Sequence, residues 1–244
     1  MRREAGVTLI ELLIAVTLVA ALATGMLMAL RVGLSAMDKS NARLMGNRRA
    51  ASVERILESQ VAGIMPVKAQ CRPGAESPAA LAPFFQGDDQ SMRFVSSYSL
   101  QQGGRGLPMI LEFQVIPGDQ GQGVRLIVNE HIYTGPFATG AFCAGLIRDP
   151  TSGAMQPAFL PIETGPGSFV LADKLAYCHF SYRQIFPDPK LPPLWFTHWS
   201  RPLLPNAIQI QMAPLQADSA RLQLLPLTIP VHVTKDPMKE DYEY

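Results

Sequence analysis

Residues 7–30, VTLIELLIAVTLVAALATGMLMAL, carry one charge, Glu11, and this apolar run constrains the chain more than any other feature. As a single helix it is about 36 Å long, enough to cross a hydrocarbon core of about 30 Å. Arg2 and Arg3 precede it, which favours a cytoplasmic N-terminus and export of everything after the span. An ordinary secretory signal places its cleavage site after the apolar run, here near small residues such as Ala21 to Thr24. The informative residues lie before it instead. A short charged leader ends in Gly6, the apolar run starts at once, and a carboxylate follows five residues later. A glutamate within lipid is costly and by default functional, so Glu11 requires a partner. The plainer alternative is a charge tolerated near the cytoplasmic interface.

Beyond the span the helical pattern continues. No proline occurs before Pro66, and all 21 prolines lie from there onward, which marks a boundary because proline breaks helices. Val53, Ile56, Leu57, Val61 and Ile64 recur at three- and four-residue steps, an amphipathic stripe. Arg49, Glu54, Arg55, Glu58 and Gln60 are expected on the opposite, solvent face. The reading is one helix from about Thr8 to Gly63, with Gly25, Gly33 and Gly46 as places where it can bend. The chain then divides into a leader (1–6), an apolar helix (7–30), an amphipathic continuation (31–64) and a β-rich globular domain (65–244).

Pro66 to Gln90 is rich in Pro, Ala and Gly and is expected to be loop. Strand-like runs follow between glycine turns: Met92 to Tyr98, Met109 to Ile116, Val124 to Val128, Leu175 to Tyr182, Ala207 to Met212 and Arg221 to Val233. Turns are expected at Gly103 to Gly106 and Gly118 to Gly121, and a long loop over residues 135–167. A helix first and strands after, without alternation, indicates an α+β fold with an antiparallel sheet.

Composition narrows the function classes. Apolar residues are 48% and charged residues 17%, which excludes both a disordered chain and a polytopic membrane protein. The net charge is +1, and loss of the leader leaves 19 basic and 19 acidic residues, so no nucleic-acid partner is expected. No HExxH, GxSxG, P-loop or EF-hand spacing occurs. His131, His179, His198 and His232 are scattered over strand and loop segments and are read as structural. Asp88 and Asp89 are two hard-oxygen ligands where calcium needs six or more, so a solvated turn is preferred. No catalytic residue, metal or cofactor is expected. Of the three cysteines, Cys71, Cys143 and Cys178, none forms a CxxC pair. In an oxidising compartment one disulfide with one thiol left over is expected, the pair being unreadable from spacing. Three buried thiols is the alternative.

The stretch GVTLIELLIAV, Gly6 to Val16, resembles the class III signal of type IV prepilins and type II secretion pseudopilins. The resemblance implies that a membrane prepilin peptidase cuts between Gly6 and Val7 and N-methylates Val7. Phenylalanine is usual at that position, so Val7 is a departure. It implies an assembly role for Glu11, which makes physical sense. Leader removal exposes an α-ammonium at Val7 among packed apolar helices, and a charge in low dielectric must be paired. Glu11 of one subunit is expected to pair with the amino terminus of its neighbour.

In the C-terminal half, LAYCHFSY (Leu175 to Tyr182) is followed by Trp195 and Trp199, then by Leu204-Pro205 before the alternating Ala207 to Ile210. That order is similar to the J-type minor pseudopilin of type II secretion systems. The resemblance implies a pilin-like fold, a long N-terminal apolar helix packed on an antiparallel sheet. It further implies single-pass anchoring in the inner membrane, a periplasmic domain, and a tip complex with I- and K-type minor pseudopilins and the major pseudopilin. Trp195 and Trp199 are candidate partner-facing anchors; packing of both over the sheet is the weightier alternative. A minor pilin of a type IV pilus or DNA-uptake filament is the nearest competing function. A membrane-anchored exported enzyme or binding module is a more distant one.

Overall fold

The computed structural model describes residues 8–72, 78–148, 153, 155–186, 188, 190–216, 226–233 and 235–239. Gly6 and Val7 lie outside the described residues, as do 221–225 of the last expected strand and 240–244 of the acidic tail. The fold is α+β: a long apolar helix, then a large antiparallel sheet. Helix α1 runs Leu9–Ala62, continuous through Gly25, Gly33 and Gly46. The chain separates into two compact units, Met1–Arg49 and Ala50–Tyr244.

In the first unit α1 carries its apolar side chains on every side. Leu9, Ile10, Leu18, Leu22 and Met26 are each at least 60% exposed. A helix hydrophobic all round is a buried or membrane-spanning element, never a surface one. No described residue of this unit covers it.

The second unit begins in the last turns of α1. Strands β1 (Ile64–Met65), β2 (Lys68–Cys71), β3 (Ala80–Pro83), β4 (Gln86–Gly87) and β5 (Ser91–Ser99) follow. Next come β6 (Gly104–Pro117), β7 (Val124–Ile132), a short helix α2 (Pro136–Gly140), β8 (Cys143–Arg148) and β9 (Met155–Phe159). The chain closes with β10 (Phe169–Gln184), β11 (Leu194–Phe196), β12 (Ala207–Pro214) and β13 (Leu227–Pro230). The main sheet has the order β1-β5-β6-β7-β10-β12-β13, with β4 on β5 and β11 on β10.

Its curvature comes from β10. The N-terminal half of this long strand pairs with β7 and the C-terminal half with β12, with register shifts between Val170 and Tyr177. Lys174 sits there at φ 55°, the left-handed conformation of a bulged residue. Gly123 allows the neighbouring turn to close. It has φ +64°, and a β-carbon on it would collide with the Leu175 carbonyl oxygen. The sheet curls far enough for Phe180 N–H to donate to Asp89 O at 2.7 Å and Trp199 N–H to Gly87 O at 2.7 Å.

Strand alternation sends residues to two cores. On the helix side, Leu57 and Val61 of α1 pack with Phe94, Leu111, Phe113, Val128, Phe180, Tyr182 and Ile210. The Cys178 thiol is buried there, and burial first, the Asp89 charge second, pushes its pKa to about 12. It therefore stays a protonated, unreactive thiol at neutral pH. Tyr182 donates its hydroxyl to Asp88 O at 2.9 Å, and burial raises its pKa well above the usual phenol range.

Gln60 corrects the sequence reading. Expected on the solvent face, it is fully buried. With Val53, Leu57 and Val61 it completes an i, i+4, i+7, i+8 stripe, so geometry places it inward whatever its polarity. Its side-chain Nε2 donates to Glu130 Oε1 at 3.4 Å, and its backbone carbonyl accepts the Ser96 hydroxyl at 2.7 Å. Glu130 also accepts from Ser99 Oγ (2.8 Å), Leu100 N (2.7 Å) and Gln101 N (3.1 Å). A carboxylate with that many donors tolerates burial. It ties the end of α1 to the β5–β6 turn.

The opposite face of β5, β6 and β7 is covered by a lobe that the sequence reading assigned to loops. Both expectations, Pro66 to Gln90 and 135–167, are corrected. The first contains β2, β3 and β4, and the second contains α2, β8 and β9. Hairpin β2–β3 and hairpin β8–β9 come together, with α2 against β2. The Cys71–Cys143 disulfide joins β2 to β8. Gly140 lets α2 approach so closely that a β-carbon there would strike the Gln70 carbonyl. Strands such as ALAP and MQPAF have almost no intrinsic strand preference. What holds them is the cross-link and the core of Val67, Ala69, Phe84, Val95 and Ile110.

The disulfide spans a sequence separation of 72 residues, for which the chain-entropy model gives about 4 kcal/mol. Cys143→Ser is therefore expected to destabilise the second unit by roughly 2–4 kcal/mol. A lowered urea midpoint for the detergent-solubilised protein, reproduced by reductant on the native chain, checks this. An unchanged midpoint would show that the lobe packs without its staple.

Candidate functional site

The site begins where α1 does. The amides of Glu11 and Leu12 donate to the Thr8 carbonyl at 3.1 and 3.2 Å, closing the first turn. Two threonines of the apolar run satisfy their own hydroxyls. Thr17 Oγ1 donates to Ile14 O at 2.9 Å and Thr24 Oγ1 to Ala20 O at 2.8 Å, the back-bonding that hydroxyls use in apolar helices. Glu11 is the one charged side chain between Thr8 and Leu30, and no hydrogen bond within the helix meets its carboxylate. It lies in the first turn, where the helix dipole favours a negative charge. That accounts for its being tolerated, but leaves an exposed carboxylate among Leu9, Ile10, Leu12 and Leu13.

A helix this long, this apolar and this uncovered is suited to membrane anchoring. Residues 1–27 match the prokaryotic N-terminal methylation motif. The chain carries a type IV prepilin-like N-terminus. Comparison with curated proteins finds no match. A prepilin-like N-terminus implies processing by a prepilin peptidase and assembly with other pilin-like subunits. The matched segment contains Gly6, Val7 and Glu11, and of these only Glu11 falls among the described residues.

The two tryptophans separate. Trp199 is buried at 6% exposure, its Nε1 donating to Leu203 O at 2.8 Å, within the helix-side core. The packing alternative describes it. Trp195 on β11 is 40% exposed, and the Arg183 guanidinium lies 5.7 Å from its ring centroid. Sequence reasoning passed over Arg183. The signal available was period-two alternation, which sets Arg183 on the same face as Tyr177, His179 and Ser181, opposite the buried Cys178, Phe180 and Tyr182.

Three histidines each meet a carboxylate and fasten one segment to another. His131 Nε2 lies 3.0 Å from Glu112 across β6 and β7. His179 Nδ1 lies 2.8 Å from Asp89, and His198 Nδ1 2.6 Å from Asp88. Asp88 also accepts from Gln86 and Ser91, so both acids of the turn serve as anchors for β10 and the 197–199 segment. Among the described residues no three His, Cys, Asp or Glu side chains converge as a metal site.

Proposed function

We propose that the chain is a minor pseudopilin of a type II secretion system, of the J type. It would act in the tip complex that initiates the pseudopilus, as an assembly subunit rather than an enzyme. The observation that carries the reading is the methylation motif on an apolar helix whose one charge over residues 8–30 is Glu11. Support for the J type is the order of features: the strand at Leu175 to Tyr182, the two tryptophans, then Leu204-Pro205 before an alternating strand. Prepilin peptidase cuts between Gly6 and Val7 and methylates Val7. The helix holds the protein in the inner membrane until assembly, and the β-rich domain stands in the periplasm beside the I- and K-type and major pseudopilins. The Cys71–Cys143 disulfide suits an oxidising compartment.

The motif is common to pseudopilins and pilins, so a minor pilin is the second reading. Deletion in the native host separates them: loss of protein export with pili intact supports the first, and the reverse supports the second. Within either assembly Glu11 pairs with the α-ammonium of a neighbouring subunit. Glu11→Leu is expected to leave cleavage intact and abolish the filament-dependent phenotype, read by immunoblot alongside export of secreted protein. Unimpaired export and piliation would remove the pairing.

A further inference from the structure

The outer face of the main sheet is covered over β5–β7 by the disulfide-joined lobe and bare over β10–β12. On the bare half the register sets Arg183 opposite Trp195, Ser181 opposite Gln209 and His179 opposite Gln211. Tyr177 is 44% exposed and stacks on His179 at 5.6 Å, and Gln211 Nε2 donates to Gln209 Oε1 at 2.7 Å. A shallow pocket lined by Asp89, His179, Phe180, Ser181, Thr197 and Gln211 lies on this face.

Two features set it apart from an ordinary solvated sheet. The outward strand positions Tyr177, His179, Ser181, Arg183, Trp195, Gln209 and Gln211 include no Lys, Glu or Asp, and the carboxylate that lines the pocket, Asp89, is engaged by His179. Protein interfaces are enriched in Tyr, Trp and Arg and depleted of those three at their centres. The second feature is charge. Arg93 is bound to Glu112, and Arg125 to Asp119 and Asp173, but Arg183 meets no carboxylate among the described residues. Its Nε is enclosed with no acceptor. A half-buried guanidinium beside an indole, with no carboxylate of its own, is placed to receive one on its outer nitrogens.

We infer that the outward face of β10–β12 docks another pilin-like subunit through a partner carboxylate that binds Arg183, with Trp195 and Tyr177 as flanking apolar anchors. The partner is a different chain. In a two-fold pair of identical copies the same patch meets itself, and this patch would bring its unpaired arginines together. The inference takes the partner's class from the pilin-like reading.

The test uses the full-length chain in its own host with a photo-crosslinking residue in place of exposed Gln211. Expected is an adduct whose second protein, identified by mass spectrometry, has its own prepilin-type N-terminus. Arg183→Glu should lower the adduct yield about tenfold or more, as for loss of an interface hot spot, and Arg183→Lys should lower it less. Gln209→Glu, which supplies an internal carboxylate diagonal to Arg183 without touching the core, should also lower it. Adducts only with identical copies, only with polysaccharide, or none at all would overturn the inference. So would a yield indifferent to Arg183→Glu and Gln209→Glu in protein whose Cys71–Cys143 disulfide remains formed. The N-terminus of the same sample keeps the two claims apart. Cleavage after Gly6 without the adduct sinks the docking face alone, whereas an uncut N-terminus sinks the pilin-like reading and the partner class with it.

Discussion

Gly6→Ala is expected to leave the full-length precursor in the membrane, with the mature form falling from nearly all of the protein to almost none. The argument is steric and local. The proposed cut follows a residue with no side chain, directly before the apolar run, and a peptidase fitted to glycine there has no room for one. A methyl group at position 6 obstructs the cut. It changes nothing else, because residues 1–7 lie before α1 and far in sequence from both cores. Immunoblots of membranes should show one slower band for Gly6→Ala, with the Cys71–Cys143 disulfide intact. Normal maturation of this variant would count against processing at Gly6. Glu11→Leu makes the complementary case, since it should mature and then fail to assemble. Two substitutions five residues apart with opposite processing phenotypes are hard to explain by a simple anchor.

Arg93→Ala is expected to destabilise the second unit by about 3–5 kcal/mol, the range for breaking a buried ion pair by removing one partner. Arg93 is fully buried on β5, with Nε 2.7 Å from Glu112 Oε1. Its other nitrogens donate to Gln86 Oε1 at 2.7 Å and to the Leu160 carbonyl at 3.0 Å. The guanidinium lies between the rings of Phe142 and Phe159, at 5.3 and 5.2 Å. Burial lowers its pKa against the opposing pull of Glu112, yet arginine remains charged throughout the accessible pH range. Removing it strands Glu112 with only His131 and Asn129 for partners. It also unfastens the lobe from the sheet. Denaturant titration in detergent, followed by fluorescence of buried Trp199, reads the loss. Arg183→Ala, at the rim of the bare face, should shift the same midpoint by less than about 1 kcal/mol. Equal effects for the two arginines would contradict the division between structural and docking roles.

The sequence shows most clearly those elements whose stability is local or repeats with a simple period. α1 was readable from Thr8 to Gly63 because a proline-free apolar run and an i, i+3, i+4 stripe need no tertiary information. Strands β5, β6, β7, β10 and β12 were readable in their centres, where apolar residues alternate, and each extends further than the pattern did. The lobe was unreadable for the opposite reason. Its strands are rich in Ala, Pro and Gln, and they exist because Cys71 finds Cys143 and because Arg93 offers a charged post to Phe142 and Phe159. Neither relation appears in any local window. Gln60 was misplaced because polarity was weighed above helix geometry, whereas a buried Glu130 had a use for its amide. At the candidate site, Glu11 was legible as a charge where none is expected. Trp199 and Trp195 were indistinguishable in sequence, and only the bridge between Gly87 and Trp199 draws one of them inward.

The most direct test of the central claim is the intact mass and N-terminal sequence of the protein taken from membranes of its own host. Processing through the prepilin pathway predicts a chain that starts at Val7 and bears one added methyl group on its α-nitrogen. A chain starting near Ala23, or one still starting at Met1, would contradict it and return the apolar helix to the status of an ordinary signal or anchor.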